Sequence, residues 1–233
     1  MSEPKHIALI LDGNRRFAKR LMMKPWMGHE WGKKKVVQLL DWCAELGIKE
    51  LTLYAWSVEN FNRPKEEFDY ILKLFKDSFA EIEQDKRLQE KGNGIKVNFL
   101  GRISLFPADV QAMMRRLMDR TASNKGLIVN FCMAYGGRQE IADAARKLAS
   151  DVASGKLSGS DINDDTFRNY LYTPDEPDMI IRTGGEKRLS GFLLFQSSYS
   201  ELFFLDKMWP EFEKSDLVGC IEDFKARERR FGR

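Results

Sequence analysis

Residues 12–16 set a carboxylate, a glycine, an amide and two guanidinium groups side by side: Asp12, Gly13, Asn14, Arg15 and Arg16. They follow an apolar run, Ile7 to Leu11, whose length and abrupt end predict a buried strand opening into a helix. Backbone N–H groups at a helix start attract phosphate, and arginine forks onto phosphate oxygens. Asp12 would repel that phosphate unless a divalent cation lies between them. Mg2+ commonly uses one or two carboxylates together with substrate phosphates. The stretch therefore predicts a Mg2+-assisted diphosphate site.

A second cluster, Arg182-Thr-Gly-Gly-Glu-Lys-Arg-Leu-Ser190, sets two arginines, a lysine and a serine around a glycine pair. Glycines let backbone amides approach an anion; an ordinary charged turn has the same composition. Between the two clusters lies Ser57-Val-Glu-Asn-Phe-Asn-Arg-Pro64, where Pro64 suits the first turn of a helix. Ser57 and Asn60 read equally as polar groups over a pocket, with Arg63 as an anion clamp, or as helix caps. His29, at a predicted helix start, is placed to hydrogen-bond a phosphate or pass a proton, although a plain surface histidine would look the same.

Phe68, Ile71, Leu72, Phe75, Phe79 and Ile82 fall at helical spacing, as a stripe that either packs on a sheet or walls a channel for an aliphatic ligand. Asp161-Ile-Asn-Asp-Asp165 looks like a Mg2+-binding aspartate cluster, but it stands alone before a short helix, so capping explains it. No Walker-type loop and no G-x-G-x-x-G follow the first strand, which removes two nucleotide-binding readings.

The elements that must hold these groups alternate strand and helix. Strands are expected at 7–11, 51–56, 95–100, 127–134, 178–182 and 202–205; helices are expected at 29–46, 65–91, 107–124, 137–154, 164–172 and 215–230. This alternation predicts an α/β fold in one domain over residues 1–233, with a central, mainly parallel six-stranded sheet flanked by helices. Ligands of such sheets bind outside the carboxyl ends of the strands, where residues 12–16, 57–63, 135–138 and 182–186 fall. With 43% hydrophobic and 31% charged residues the composition is that of an ordinary globular protein, and a net charge of +3 argues against a nucleic-acid partner. Cys43, Cys132 and Cys220 are widely spaced, so neither a disulfide framework nor a zinc site is expected. The first strand begins close to Met1 and no run is long enough to cross a bilayer, so the expected location is cytoplasmic.

Together, the stretch from His6 to Lys19, Gly28-His29, Leu53 to Pro64, Ile181 to Glu186, Arg188 to Gln196, Glu201, Trp209-Pro210 and the terminal Arg230-Phe-Gly232 resemble the cis-prenyltransferases, the undecaprenyl and dehydrodolichyl diphosphate synthases. The Arg15-Arg16-Phe17 choice looks archaeal or eukaryotic. The resemblance implies an apolar tunnel and a Mg2+-dependent homodimer, or heterodimer, that joins isopentenyl diphosphate to an allylic prenyl diphosphate through a new Z double bond. It further implies a role in glycosyl carrier lipid synthesis, a product that partitions to the membrane, and loose membrane association of the enzyme.

Carried over by position, Asp12 would hold Mg2+, and Gly13, Asn14, Arg15, Arg16 and Phe17 would cradle the allylic diphosphate with His29 nearby. Ser57 and Asn60 would assist proton removal, with Val58, Glu59, Phe61 and Arg63 completing that side. Neutral Asn is a poor base, so Asn60 is expected to relay the proton to a phosphate oxygen or water. Arg182, Arg188, Leu189 and Ser190 would clamp isopentenyl diphosphate, Glu201 would be a second metal carboxylate, and the Arg230-x-Gly232 tail would reach a partner subunit's site. Ala55, Phe68, Phe75, Phe99, Phe131 and Met133 are candidate tunnel linings. Two positions depart from the pattern: Pro25 stands where bacterial members carry Arg, with Lys24 beside it, and Lys187 replaces a frequent His. A non-catalytic subunit of a heteromeric synthase would have lost Asp12, Asn60 and Arg188. A Mg2+-dependent phosphate-ester hydrolase would leave the apolar stripe without a role.

Overall fold

A computed structural model describes residues 3–88 and 93–227. Six strands form one sheet: β1 (His6–Ile10), β2 (Glu50–Ser57), β3 (Lys96–Leu100), β4 (Ile128–Tyr135), β5 (Met179–Arg182) and β6 (Glu201–Phe204). Their order is β3-β4-β2-β1-β5-β6 and every pairing is parallel. The strands read as near-continuous apolar runs because both faces are covered. Ile7 and Leu9 join the larger core cluster on one face, and Ala8 and Ile10 join Cys132, Ile180 and Phe192 on the other.

The crossovers are α1 (Asn14–Arg20) and α2 (Gly28–Glu45), then α3 (Lys65–Gln84), α4 (Ala108–Thr121), α5 (Gly137–Ala153) and α6 (Asp164–Arg168), and α7 (Lys214–Ala226) is the last helix among the described residues. β1 leads to β2 on one side, whereas its other neighbour β5 leads outward to β6. This reversal makes the carboxyl ends of β1 and β5 a topological switch point, where open α/β sheets bind ligands. At the carboxyl end of β2 the register with β4 shifts around Tyr54, Trp56 and Ser57, a local irregularity that re-aims the residues entering the next loop.

The sequence reading of the strands holds to within a residue or two, and all-parallel pairing sharpens it. The long helix ends at Gln84 rather than at residue 91, because Asp85 turns extended and its carboxylate accepts the Arg87 backbone N–H at 2.8 Å. α6 stops at Arg168, short of residue 172. Among the described residues no helix is long and apolar enough to cross a membrane. All three cysteines are free and buried.

Candidate active site

After β1 the chain turns at Asp12-Gly13 into α1. The Asp12 carbonyl accepts the Thr183 hydroxyl at 2.7 Å and the Trp209 backbone N–H at 2.9 Å. Gly13 has φ 110°, and a Cβ there would lie 2.8 Å from Met208 Cα, so the turn requires glycine. Fixed in this way, the Asp12 carboxylate meets the end of β5: Arg182 Nη2 donates to Oδ2 at 2.9 Å. Arg182 is buried, and its Nη1 donates to Ser190 Oγ at 2.9 Å and to the Arg188 carbonyl. Arg16 approaches the other oxygen, with Nη2 at 3.3 Å from Oδ1. Gly184 permits this approach, since a Cβ there would lie 2.5 Å from the Arg16 guanidinium.

α2 reaches the same corner because two of its residues lack side chains. A Cβ on Gly28 would stand 2.0 Å from the Asn14 carbonyl oxygen, and one on Gly32 would stand 2.3 Å from Asn14 Oδ1. His29 lies between them, and among the described residues its Nε2 finds no hydrogen-bond partner. Burial, reinforced by the Arg63 and Arg15 guanidinium groups, lowers its pKa to about 3, so the imidazole is neutral. Opposite stands Glu67 at the start of α3, 1% exposed, which accepts Arg63 Nη1 at 2.5 Å and lies 3.6 Å from Arg15. Burial lowers the Arg63 pKa, partly offset by the Glu67 hydrogen bond and charge. Glu67 was not anticipated. Its signal was the four-residue spacing of Arg63, just before α3, and Glu67, in its first turn.

The loop after β2 forms a 3-10 turn, Val58–Asn62, and Asn60 Oδ1 accepts the Ser57 backbone N–H at 3.0 Å. Ser57 and Asn60 thus cap this turn and not the long helix, whose N-cap Pro64 carries no side-chain cap, and Ser57, Asn60 and Arg63 line the cavity described next.

A cavity of about 490 Å3 opens at these groups. Its polar lining includes Asp12, Asn14, His29, Ser57, Asn60, Arg63 and Arg182. Its apolar lining comes from α2 (Val36, Val37, Leu40), α3 (Ile71, Leu74, Phe75, Phe79, Ile82) and the sheet (Ala55, Phe131, Met133). α3 starts beside Arg63 and runs away from it, so Ile71 to Ile82 cover about 17 Å of depth at 1.5 Å per residue. The helical stripe thus divides. Ile71, Phe75, Phe79 and Ile82 face the cavity, while Phe68 packs on Phe61 and Trp56. Of the expected linings, Ala55, Phe75, Phe131 and Met133 hold; Phe68 does not line the cavity, and Phe99 stacks beside Phe131 and Phe79 without lining it.

Several expected site residues lie outside the cavity lining. Phe17 is buried against Trp31, Phe61 is half-buried against Phe106 and Trp56, and Leu189 packs on the second core cluster. Val58 and Glu59 sit on the 3-10 turn, and neither they nor Leu189 line the cavity. Arg188 is exposed and pairs with Glu186 at 2.5 Å, touching the site through its carbonyl. Glu201 is not brought to Asp12 within the chain. It opens β6 in register with Met179, about 10 Å down the strand from Arg182, and pairs with Arg227 at 2.5 Å instead of joining Asp12 within the chain. Lys24 bonds Glu66 at 2.8 Å outside the cavity, and Lys187 is exposed. Asn163 caps α6 through the Thr166 N–H at 2.9 Å, as the bland reading of that aspartate-rich stretch required. Arg230 and Gly232 lie outside the described residues.

Among the described residues no group of three or more His, Cys, Asp or Glu side chains could hold a metal by itself. A lone carboxylate at a cluster of arginines still fits Mg2+, which keeps waters and takes further oxygens from substrate phosphates. Asp12, about a third exposed, is that carboxylate.

Known proteins share this sequence pattern and this fold. The family model described as undecaprenyl diphosphate synthase matches residues 10–232. A tritrans,polycis-undecaprenyl-diphosphate synthase (geranylgeranyl-diphosphate specific) of Pyrococcus horikoshii is 50% identical over 232 residues, 99% of this chain and 87% of the relative. An isoprenyl transferase of Thermus thermophilus is 44% identical over 237 residues, 99% of this chain and 89% of its own. The crystal structure of lavandulyl diphosphate synthase from Lavandula x intermedia, in complex with dimethylallyl diphosphate, superposes with a TM-score of 0.93 at 35% identity, over 99% of both chains. With a switch-point carboxylate gripped by arginines above an apolar cavity, and a family match along almost its whole length, this chain belongs to the undecaprenyl diphosphate synthase family of cis-prenyltransferases.

Proposed function

We propose that this protein condenses isopentenyl diphosphate with an allylic prenyl diphosphate, forming a Z-configured polyprenyl diphosphate and releasing diphosphate. The observation that carries the reading is the buried Arg182 holding Asp12 at the mouth of an elongated apolar cavity. The geranylgeranyl-specific name borne by the Pyrococcus relative favours a C20 allylic substrate. A dimeric assembly, a peripheral place at the membrane and use of the product as a glycosyl carrier lipid belong to the same proposal.

Asp12 would hold Mg2+, which when bound neutralises charge on the departing diphosphate. Arg16 and Arg182, paired with Asp12 in the free protein, would turn to phosphate oxygens as the carboxylate takes up the ion. Arg63, kept in place by Glu67, adds a further donor at the mouth. Charge-assisted hydrogen bonds are worth about 1.5–3 kcal/mol each, so three or four of them grip a diphosphate without any contact to its chain. The apolar lining excludes water, which protects a developing allylic cation from being quenched. Asn60 has committed Oδ1 to the Ser57 N–H, leaving Nδ2 as a donor toward the cavity. It therefore orients a phosphate, and the proton lost from C2 of isopentenyl diphosphate goes to a diphosphate oxygen rather than to the amide.

The test is incubation with labelled isopentenyl diphosphate and C10, C15 and C20 allylic diphosphates, with Mg2+ and with EDTA, followed by product chromatography. Mg2+-dependent chain growth is expected. Release of phosphate from soluble esters without chain growth would refute the reading. The likeness to a lavandulyl diphosphate synthase makes regiochemistry a further readout of the same products.

A further inference from the structure

Away from its mouth the cavity ends in charge rather than hydrocarbon. Lys33 on α2, Glu81 on α3, and Asp85 and Arg87 just beyond α3 all belong to its lining. Each is paired across or beside the gap between the two helices. Lys33 Nζ donates to Glu81 Oε1 at 2.7 Å, joining α2 to α3. Arg87 Nη1 donates to Asp41 on α2 at 2.5 Å, while Nη2 and Nε hold Asp85 at 2.5 and 3.0 Å. The cations are mostly covered, at 22% and 28% exposure, whereas Glu81 and Asp41 are 65% and 55% exposed. The seam therefore separates the apolar interior from solvent, and side-chain ion pairs hold it shut.

We infer that this α2–α3 seam is an exit latch for the growing chain, and that Lys33–Glu81 and Arg87–Asp41 set the product length at which elongation stops. The inference rests on the condensation proposed above. An apolar chain pressed against a paired charge strips water from it without replacing the lost hydrogen bonds, so a closed latch resists the advancing end. Half-exposed ion pairs are individually weak, so the latch parts without unpacking the core. A chain that has filled the cavity must either stop or slip between the helices. The balance depends on how firmly the pairs hold, and added salt loosens them.

The experiment compares product distributions of the unaltered protein, Glu81→Gln, Arg87→Met and the double swap Lys33→Glu with Glu81→Lys, at low and high salt. None of these residues touches the diphosphate end, so the rate of the first condensation should not change. Both single variants should move the most abundant product up by at least one five-carbon unit. High salt should move the unaltered protein the same way, and the swap should return the distribution to its starting length. Unchanged distributions in both single variants would overturn the latch, as would a lengthening that the swap fails to reverse, which would mark a packing effect. Absence of any chain growth by the unaltered protein would overturn the condensation reading and the latch with it, before a variant is made.

Discussion

Arg182 Nη2 donates to Asp12 Oδ2 at 2.9 Å although 170 positions separate the two residues. The register explains the meeting: β1 and β5 are parallel neighbours with Ile10 opposite Arg182, so the turn after β1 rises directly beside the last residue of β5. The pair is self-neutralised in the free protein; on the proposed function an incoming diphosphate would compete for the guanidinium and a cation for the carboxylate.

Asp12→Asn keeps an acceptor for Arg182 and removes the charge. Losing one partner of a buried ion pair costs about 3–5 kcal/mol. Asp12 is 31% exposed, so the discounted loss is about 1–2 kcal/mol, or a fall in Tm of roughly 2–8 °C. Chain growth should fall on the order of a hundredfold or more, since one stabiliser of the departing charge is gone. Thermal unfolding and the labelled-substrate assay measure the two effects separately. Normal turnover would remove Asp12 from the chemistry.

Glu67→Gln tests the residue beneath two arginines. With the buried charge gone, Arg63 and Arg15 repel each other and lose their common anchor. We expect KM for a diphosphate substrate to rise on the order of tenfold, about 1.4 kcal/mol, with a smaller change in kcat. A variant with unchanged KM would show that Arg63 is positioned by something else.

Gly32→Ala puts a methyl group 2.3 Å from Asn14 Oδ1, so α2 must back away from the start of α1. Overpacking of this kind costs about 1–3 kcal/mol. Because Asn14 and His29 both line the cavity beside Gly32, activity should fall together with Tm; a stable, fully active variant would show that the helices tolerate separation.

His29 links stability to pH. Its folded pKa is lowered from 6.5 to about 3, so between these values the unfolded chain binds a proton that the folded chain refuses. Stability from this group is complete above pH 6.5 and declines as pH falls toward 3, by up to about 1.4 kcal/mol per pH unit. His6, lowered to about 4 chiefly by burial, adds a parallel slope. Denaturant titrations should therefore show a shallower acid-side decline in His29→Asn than in the parent protein. Equal slopes would mean that His29 is not held neutral.

What the chain order alone determined is the alternation of apolar strands with helices and the clustering of arginine, glycine and amide groups immediately after the strands. Both are local properties, set by side-chain period and by where the turn residues fall. The loops that gather Asp12 and Arg182 at the strand ends and the capping of α6 by Asn163 were legible for that reason. Tertiary structure decided the rest. Only the strand order brings β5 beside β1 and so joins Arg182 to Asp12, and the same order leaves Glu201 at the opposite end of its strand against Arg227. Whether the apolar stripe of α3 packed or lined a space depended on the placement of α2, whose lining residues Val36, Val37 and Leu40 face the same cavity. Glu67 acquired its role because burial strips water from its carboxylate, leaving two arginines as its compensation. Such effects come from long-range packing and exclusion of solvent, and neither is written in the spacing of residues along the chain.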